Sequence, residues 1–423
     1  MQRRSFLRQG GLAAATAAVP FQAPAQIGNQ PSMKITEIKT FLVGSTRGEQ
    51  GGTGNISGRN WVYVKILTDQ GIHGIGEAYS CGPDEATVKV IEDYARWLVG
   101  QDPRNIQHLW DYMYNTTRFP GGSVVNSAIS GIEHALWDIA GKAAGLPVWA
   151  LLGGRVRDKV RLYQSIGGSS PQEAAENAVE LRERFGFNAC KMSPHNPGDN
   201  QMPYNEVTRT AGERVGAVRD AVGPDHDIAV DIHARYFEVQ RAIRVAKQIE
   251  PYYPFWLEEP IRPENPDAMK KLADHVSIPL ASGECNYTKF EFRDLINIQA
   301  LDVVQPDVCV CGGIMEMKKI AAMAEAQYMM VAPHNPMSPL ATMVNIHFAA
   351  STPNFLILEY RAPVDDARRD VLDSPPQVND GYADIPNQSG WGVELNEEAF
   401  QYYPPRPWKR TTGFRADGSV AFI

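Results

Sequence analysis

From Val160 to about Tyr360, short apolar runs alternate with longer amphipathic stretches at intervals of roughly 25–30 residues. The runs read VRLYQS, FNACKMS, DIAVDIH, FWLEEP, IPLASGE, LDVVQPD, YMMVAP and FLILEY. Each is short and nearly continuous in apolar residues, as expected of strands covered on both faces. Between them, 171–185, 205–221, 237–249, 265–274, 288–298, 313–326 and 338–350 carry helical periodicity. Eight strands with helices between them predict a parallel barrel rather than an open sheet.

A different rhythm precedes them. KITEIKTFLV and WVYVKILT predict two strands, and Asp69–Gly71 supplies a turn into a short third strand around Ile72–Gly76. Helices are expected at about 84–99, 103–114 and 123–144. The last places Ile129, Ile132, Leu136 and Ile139 at helical spacing, with Gly145 and Pro147 to end it. A Gly-rich stretch runs from Gly44 to Gly58. Beyond Glu359 the chain is rich in Pro, Asp and Gly, without clear periodicity. The expected organisation is α/β: an N-terminal α+β domain over 33–155, a barrel over 156–362, and a C-terminal segment, 363–423, that returns to pack on the first domain.

The N-terminus, RRSFLRQGGLAAATAAVPFQAPA, has a basic start, a weakly apolar stretch and a small-residue site near Ala23 and Ala25. It reads as an export signal over 1–25, and Arg3 and Arg4 resemble the twin-arginine type, implying a periplasmic or otherwise exported protein. Its removal drops Arg3, Arg4 and Arg8 and takes the formal charge from −8 to −11. An acidic chain without a cationic cluster argues against nucleic acid and anionic membranes as partners. No internal run approaches the ~20 apolar residues of a membrane span. The five cysteines, Cys81, Cys190, Cys285, Cys309 and Cys311, have no disulfide-framework or CxxC spacing. They read as small apolar filler, four of them at or just past strand ends near the expected mouth.

Three carboxylates change the picture. Asp231, Glu258 and Glu284 end three successive strand runs. In a parallel barrel, side chains at strand C-termini converge on one mouth. Three convergent oxygen ligands suit Mg²⁺, which keeps positions for water and a substrate oxyanion. His233 follows Asp231 by two, so alternation puts both on one face, whereas Glu259 should point away from the metal.

Together, VDIH, WLEEP, ASGE, VVQPD, APHNP and LEY resemble the enolase superfamily, mandelate racemase subgroup, sugar-acid dehydratase branch. Similarity runs over nearly all of 33–423, including SAISGIEHALWDIAGK, PVWALLGG and the terminal ADGSVA. That resemblance implies a modified TIM-type (β/α)7β barrel with an α+β capping domain completed by the C-terminal segment. It implies Mg²⁺ on Asp231, Glu258 and Glu284, with an acid sugar, galactonate-like, as the small-molecule substrate. His334, oriented by Asp307, would take the proton next to the substrate carboxylate. His233 would protonate the departing hydroxyl, and Glu359 would hydrogen-bond the enolate oxygen. The product would be a 2-keto-3-deoxy acid, and the protein a homo-oligomer. Lys191 and Ser193 are candidate substrate contacts. Ser193 stands where racemase- and cycloisomerase-like members carry a second Lys, which argues against two-base chemistry.

Two other readings stay open. An acid-sugar epimerase would need a base opposite His334, and His233 could serve. An exported binding protein without catalysis is the other; retention of His334, Asp307, His233 and the three carboxylates counts against it. A zinc-barrel hydrolase is disfavoured because the first barrel strand shows LYQS rather than a His-x-His pair.

Overall fold

The computed structural model describes residues 32–45, 60–79, 83–363, 366–406 and 412–421. The export signal, Cys81 and all but the first two residues of the Gly44–Gly58 stretch lie outside them. From Met33 onward the chain forms one compact unit.

Strands β1 (Ile35–Gly44), β2 (Asn60–Thr68) and β3 (His73–Ala78) form an antiparallel sheet in that order. Helices α1 (Asp84–Leu98), α2 (Ile106–Thr116) and α3 (Ser123–Ala144) pack with it around Ile129, Ile132, Leu136 and Ile139. Helix α3 lies almost on the backbone of β3. A Cβ at Gly74 would sit 2.0 Å from Ala135 O, and one at Gly76 2.1 Å from Gly131 O, so only glycine permits the approach. A one-turn helix, α4 (Val148–Leu151), leads out of this domain.

The barrel runs β4 (Lys159–Ile166), α5 (Pro171–Phe185), β5 (Ala189–Met192), α6 (Tyr204–Val222), β6 (Asp227–Asp231), α7 (Val239–Ile249), β7 (Trp256–Glu258) and α8 (Pro266–Ala273). It continues with β8 (Leu280–Ser282), α9 (Thr288–Asn297), β9 (Val303–Val304), α10 (Ile314–Glu325), β10 (Met330–Val331), α11 (Pro339–Ala350) and β11 (Leu358–Glu359). Neighbouring strands from β4 to β10 pair in parallel. Leu358 and Glu359 pair with Leu162 and Tyr163, and Val331 bridges to Phe355, which closes the ring as a (β/α)7β barrel.

One buried residue from each strand run fills the interior: Tyr163, Ala189, Ala229, Trp256, Ala281, Val303, Ala332 and Ile357. Two aromatics, edge to face at 5.6 Å, occupy the space that four alanines leave. Because side chains alternate with period two, the residue two positions later on each strand belongs to the next layer up. Those residues are Ser165, Lys191, Asp231, Glu258, Gly283, Gln305, His334 and Glu359. An apolar floor thus carries a polar layer.

After the barrel, α12 (Asp366–Asp370) precedes a hairpin of β12 (Val378–Asn379) and β13 (Tyr382–Asp384). Strand β13 pairs antiparallel with the start of β4, and the hairpin turns at Asp380–Gly381, both at positive φ, a local turn signal within a segment otherwise without periodicity. The chain then reaches the first domain: Phe400 stacks on Tyr63 at 5.6 Å, and Trp391 Nε1 donates to Ile75 O. Two buried glutamates of the first domain register it on the barrel. Glu77 accepts from the Ser338 and Ala341 amides at the start of α11, and Glu133 from Ile314 and Met315 at the start of α10. Carboxylates at helix N-termini are favoured by both hydrogen bonding and the helix dipole. The loops between β9 and α10 and between β10 and α11, which carry Asp307 and His334, are anchored in this way.

Candidate active site

Asp231 and Glu258 end β6 and β7, and Glu284 lies two residues past β8. Their carboxylate oxygens lie within 4.8 Å of one another. Asp231 and Glu258 are buried and Glu284 is partly so. Burial, foremost, and the repulsion of Asp231, Glu359 and Glu284 push Glu258 up to about 7 despite the Lys191 ammonium. Three crowded hard-oxygen donors with one ammonium among them retain an excess of negative charge. Such a donor set fits a divalent cation such as Mg²⁺. Trp256 Nε1 donates to Glu258 Oε2 at 2.9 Å, fixing the rotamer of one candidate ligand.

Lys191, a candidate substrate contact, has its ammonium 2.7 Å from Glu258 and 3.2 Å from both Asp231 and Glu359. The side chain is only 5% exposed, because alternation from Ala189 sends it up the barrel axis under the carboxylates. Ser193, the other candidate substrate contact, does not join the cluster. Strand β5 ends at Met192, and the Ser193 hydroxyl accepts from the His195 amide within the following loop.

His334 is buried with Nδ1 2.8 Å from Asp307 Oδ2, and Asp307 Oδ1 accepts from the Cys309 amide at 2.8 Å. A carboxylate on Nδ1 assigns the proton there and leaves Nε2 as the open nitrogen. Nε2 lies 3.5 Å from Glu284 Oε2. Burial lowers the His334 pKa, but Glu284, Asp307 and Glu359 outweigh it and raise it to about 10. A cation held by Glu284 would offset the largest of these supports.

His233 stands on the other side of the cluster in contact terms. Its Nδ1 lies 3.2 Å from Asp231 Oδ1, and its side chain is 59% exposed. The two imidazoles therefore touch different carboxylates of the three. Glu359 is buried; Oε2 accepts from the Asn335 amide at 3.0 Å, and Oε1 meets Ser165 Oγ and Lys191. In this arrangement Glu359 is an acceptor that anchors Lys191.

Glu259 corrects the alternation argument. Its backbone is left-handed, with φ 40°, so the strand's period stops at Glu258 and the side chain turns back toward Glu284 and Cys285. It is buried, and crowding by Glu284, Asp231 and Glu258 adds to burial in raising its pKa well above the usual range. Cys190 points from β5 into the core between strands and helices, in keeping with its reading as apolar filler. Gln305 was overlooked. It is buried in the polar layer with neither side-chain atom hydrogen-bonded among the described residues. Its signal was available, two positions after the apolar Val303.

Two family profiles match the chain: the mandelate racemase / muconate lactonizing enzyme N-terminal domain over residues 36–153, and the enolase C-terminal domain-like family over 173–399. A D-galactonate dehydratase from Variovorax paradoxus is 35% identical over 402 residues, covering 92% of this chain and 100% of its own. One from Klebsiella pneumoniae is also 35% identical at the same coverage. An enolase from Agrobacterium radiobacter, provisionally named a galactarate dehydratase and crystallised with Na and L-malate bound, superposes with a TM-score of 0.85. It shares 37% identity and covers 92% of this chain and all of its own.

Proposed function

The chain belongs to the mandelate racemase / muconate lactonizing enzyme family of the enolase superfamily, and from that premise we propose that it is a Mg²⁺-dependent hydro-lyase that dehydrates a sugar acid to a 2-keto-3-deoxy acid. The observation that carries the reading is the placement of two imidazoles against different members of one carboxylate cluster. The lyase class and sugar-acid substrate draw on the D-galactonate dehydratases that match it over their full length.

The α-hydrogen of a carboxylate is weakly acidic because its loss puts a second negative charge on that carboxylate. Asp231, Glu258 and Glu284 would hold Mg²⁺, which when bound would supply electrostatic stabilisation of that developing charge. His334 Nε2 accepts the α-proton, while Asp307 holds Nδ1–H and compensates the imidazolium. His233, at the exposed rim, delivers a proton to the β-hydroxyl as the C–O bond breaks. The enol product then tautomerises. Lys191 opposes the upward shift of Glu258, helps to hold Asp231 ionised and fixes both carboxylates in place, and Glu359 in turn anchors Lys191.

Turnover in D₂O followed by NMR tests the assignment. His334→Asn should lose both product and exchange of the α-hydrogen. His233→Asn should lose product while keeping α-exchange, because proton abstraction precedes hydroxide departure. Wild-type enzyme that inverts C2 without forming a keto-deoxy acid would establish an epimerase instead.

A further inference from the structure

The motif SAISGIEHALWDIAGK, which forms most of α3, carries polar residues where the helix is fully buried. Ser130, Glu133 and His134 are spaced by three and four residues, so they share one helix face, and each is 0% exposed. Polar groups in such a place are costly unless they are hydrogen-bonded. Each finds a backbone partner along the β9–α10 loop and the start of α10. Gly312 N donates to Ser130 Oγ at 3.0 Å, and the Ile314 and Met315 amides donate to Glu133. His134 Nε2 lies 3.2 Å from Val308 O, the carbonyl of the residue directly after Asp307.

A carbonyl oxygen only accepts, so the His134 ring proton sits on Nε2. Burial, outweighing the backbone bonds to Val308 and Glu77, lowers the His134 pKa to about 3 and keeps the ring neutral. The ring stands edge to face on Trp391 at 6.3 Å. Strand β3 presses on it from the other domain element: a Cβ on Gly76 would sit 2.9 Å from His134 Cβ. Val308 O and Cys309 N belong to one planar peptide unit. Its N–H donates to Asp307 Oδ1 at 2.8 Å, and Asp307 Oδ2 lies 2.8 Å from His334 Nδ1. One connected line of hydrogen bonds therefore runs from His134 through the Val308–Cys309 peptide and Asp307 to His334. Asp307 accepts from both sides, so the tilt of that peptide fixes the rotamer from which its carboxylate meets the imidazole.

We propose that His134 is a positioning residue for the general base: it holds the Val308–Cys309 peptide so that the Asp307 carboxylate meets His334 Nδ1, with Ser130 as a second tie on the same loop at Gly312. His134 is sealed inside the N-terminal domain and takes no part in proton transfer itself. The N-terminal domain thus reaches the chemistry of the barrel through one peptide plane. The part that His334 plays in turnover rests on the dehydratase reading, whereas the hold on the Asp307–His334 bond does not.

Substitutions in the full chain, assayed with Mg²⁺ present, test it. His134→Leu deletes the donor, whereas His134→Gln keeps an amide N–H of similar reach. With D-galactonate in D₂O followed by NMR, His134→Leu should lower kcat for α-hydrogen exchange and for keto-deoxy product about tenfold or more, as a displaced base does, while KM stays within about twofold. His134→Gln should recover most of that loss, and Ser130→Ala should lose severalfold. Ile132→Val, in the apolar core on the same helix, should lower the melting temperature and leave kcat unchanged. A second readout needs no turnover. The low-field Nδ1–H resonance of ¹⁵N-histidine-labelled protein, assigned by its loss in His334→Asn, should move in His134→Leu and keep its place in His134→Gln. Wild-type kcat in His134→Leu, equal losses from the two His134 substitutions, or a resonance that His134→Leu leaves unmoved overturns the inference. Where His134→Leu does not fold, wild-type kcat with an unmoved resonance in Ser130→Ala overturns it. A wild type that neither exchanges nor dehydrates D-galactonate tells against the dehydratase reading alone, and the resonance still decides the role of His134.

Discussion

Replacing Lys191 by Met separates the electrostatics of the cluster from its chemistry. The ammonium touches three buried carboxylates at 2.7, 3.2 and 3.2 Å. At an effective dielectric near 20, one such pair near 3 Å is worth about 5 kcal/mol before desolvation. Much of that gross attraction is offset by the cost of burying the charges, and the net loss on removing one partner of a buried pair is about 3–5 kcal/mol. Lys191→Met is nearly isosteric, so packing contributes little. Denaturant unfolding in EDTA should therefore show the variant about 3–5 kcal/mol less stable than wild type. A cation at 100 times its dissociation constant stabilises a folded protein by about 2.7 kcal/mol. In the variant, which lacks the internal counter-charge, Mg²⁺ should bind more tightly and restore more stability than it adds to the wild type. Equal stability in EDTA would show that the lysine does not neutralise the cluster. Equal gains from Mg²⁺ in both proteins would refute the placement of the cation among these carboxylates.

The remaining predictions concern docking, pH and export. Glu77→Ala should cost about 2–4 kcal/mol in thermal or chemical unfolding, because the buried Ser338 and Ala341 amides lose their acceptor at about 1–3 kcal/mol each, less what relaxation recovers. Burial, chiefly, raises Glu133 from 4.5 to about 7. The folded state then binds this proton more readily than the unfolded one, so the contribution is full below pH 4.5 and is lost as pH rises through 7. Glu133→Gln should flatten the melting temperature over that window, and an unchanged pH slope would count against the burial argument. Fractionation should find a chain shortened to about Gln26 outside the cytoplasm, dependent on the Arg3–Arg4 pair; a full-length cytoplasmic chain beside a normally processed export substrate would reject the signal.

What could be read from the sequence follows from how local each determinant is. Helix α3 and the eight strand runs were visible because periodicity and terminators act within one element; Ser123–Ala144 was expected and found with the same ends. Asp231, Glu258 and His334 were readable for a further reason: each stands two residues after an interior apolar residue, Ala229, Trp256 or Ala332. The same rule applied to Ala189, Val303 and Ile357 returns Lys191, Gln305 and Glu359, so the polar layer is a consequence of the apolar floor. Where the strand ends, the rule ends. Glu259 adopts a left-handed backbone that no residue pattern announces, and Ser193 leaves the face because β5 stops one residue earlier. Glu284 reaches the cluster only because Gly283, at φ 139°, takes the layer position with no side chain and redirects the chain. The docking of β13 on β4 and the caps from Glu77 and Glu133 were invisible because their partners lie more than a hundred residues away, whereas the Asp380–Gly381 turn of the hairpin itself is a local signal. Local pattern therefore identifies which residues reach the mouth, and long-range backbone partners decide which loops hold them there. Those loops are β9–α10 and β10–α11, held by Glu133 and Glu77.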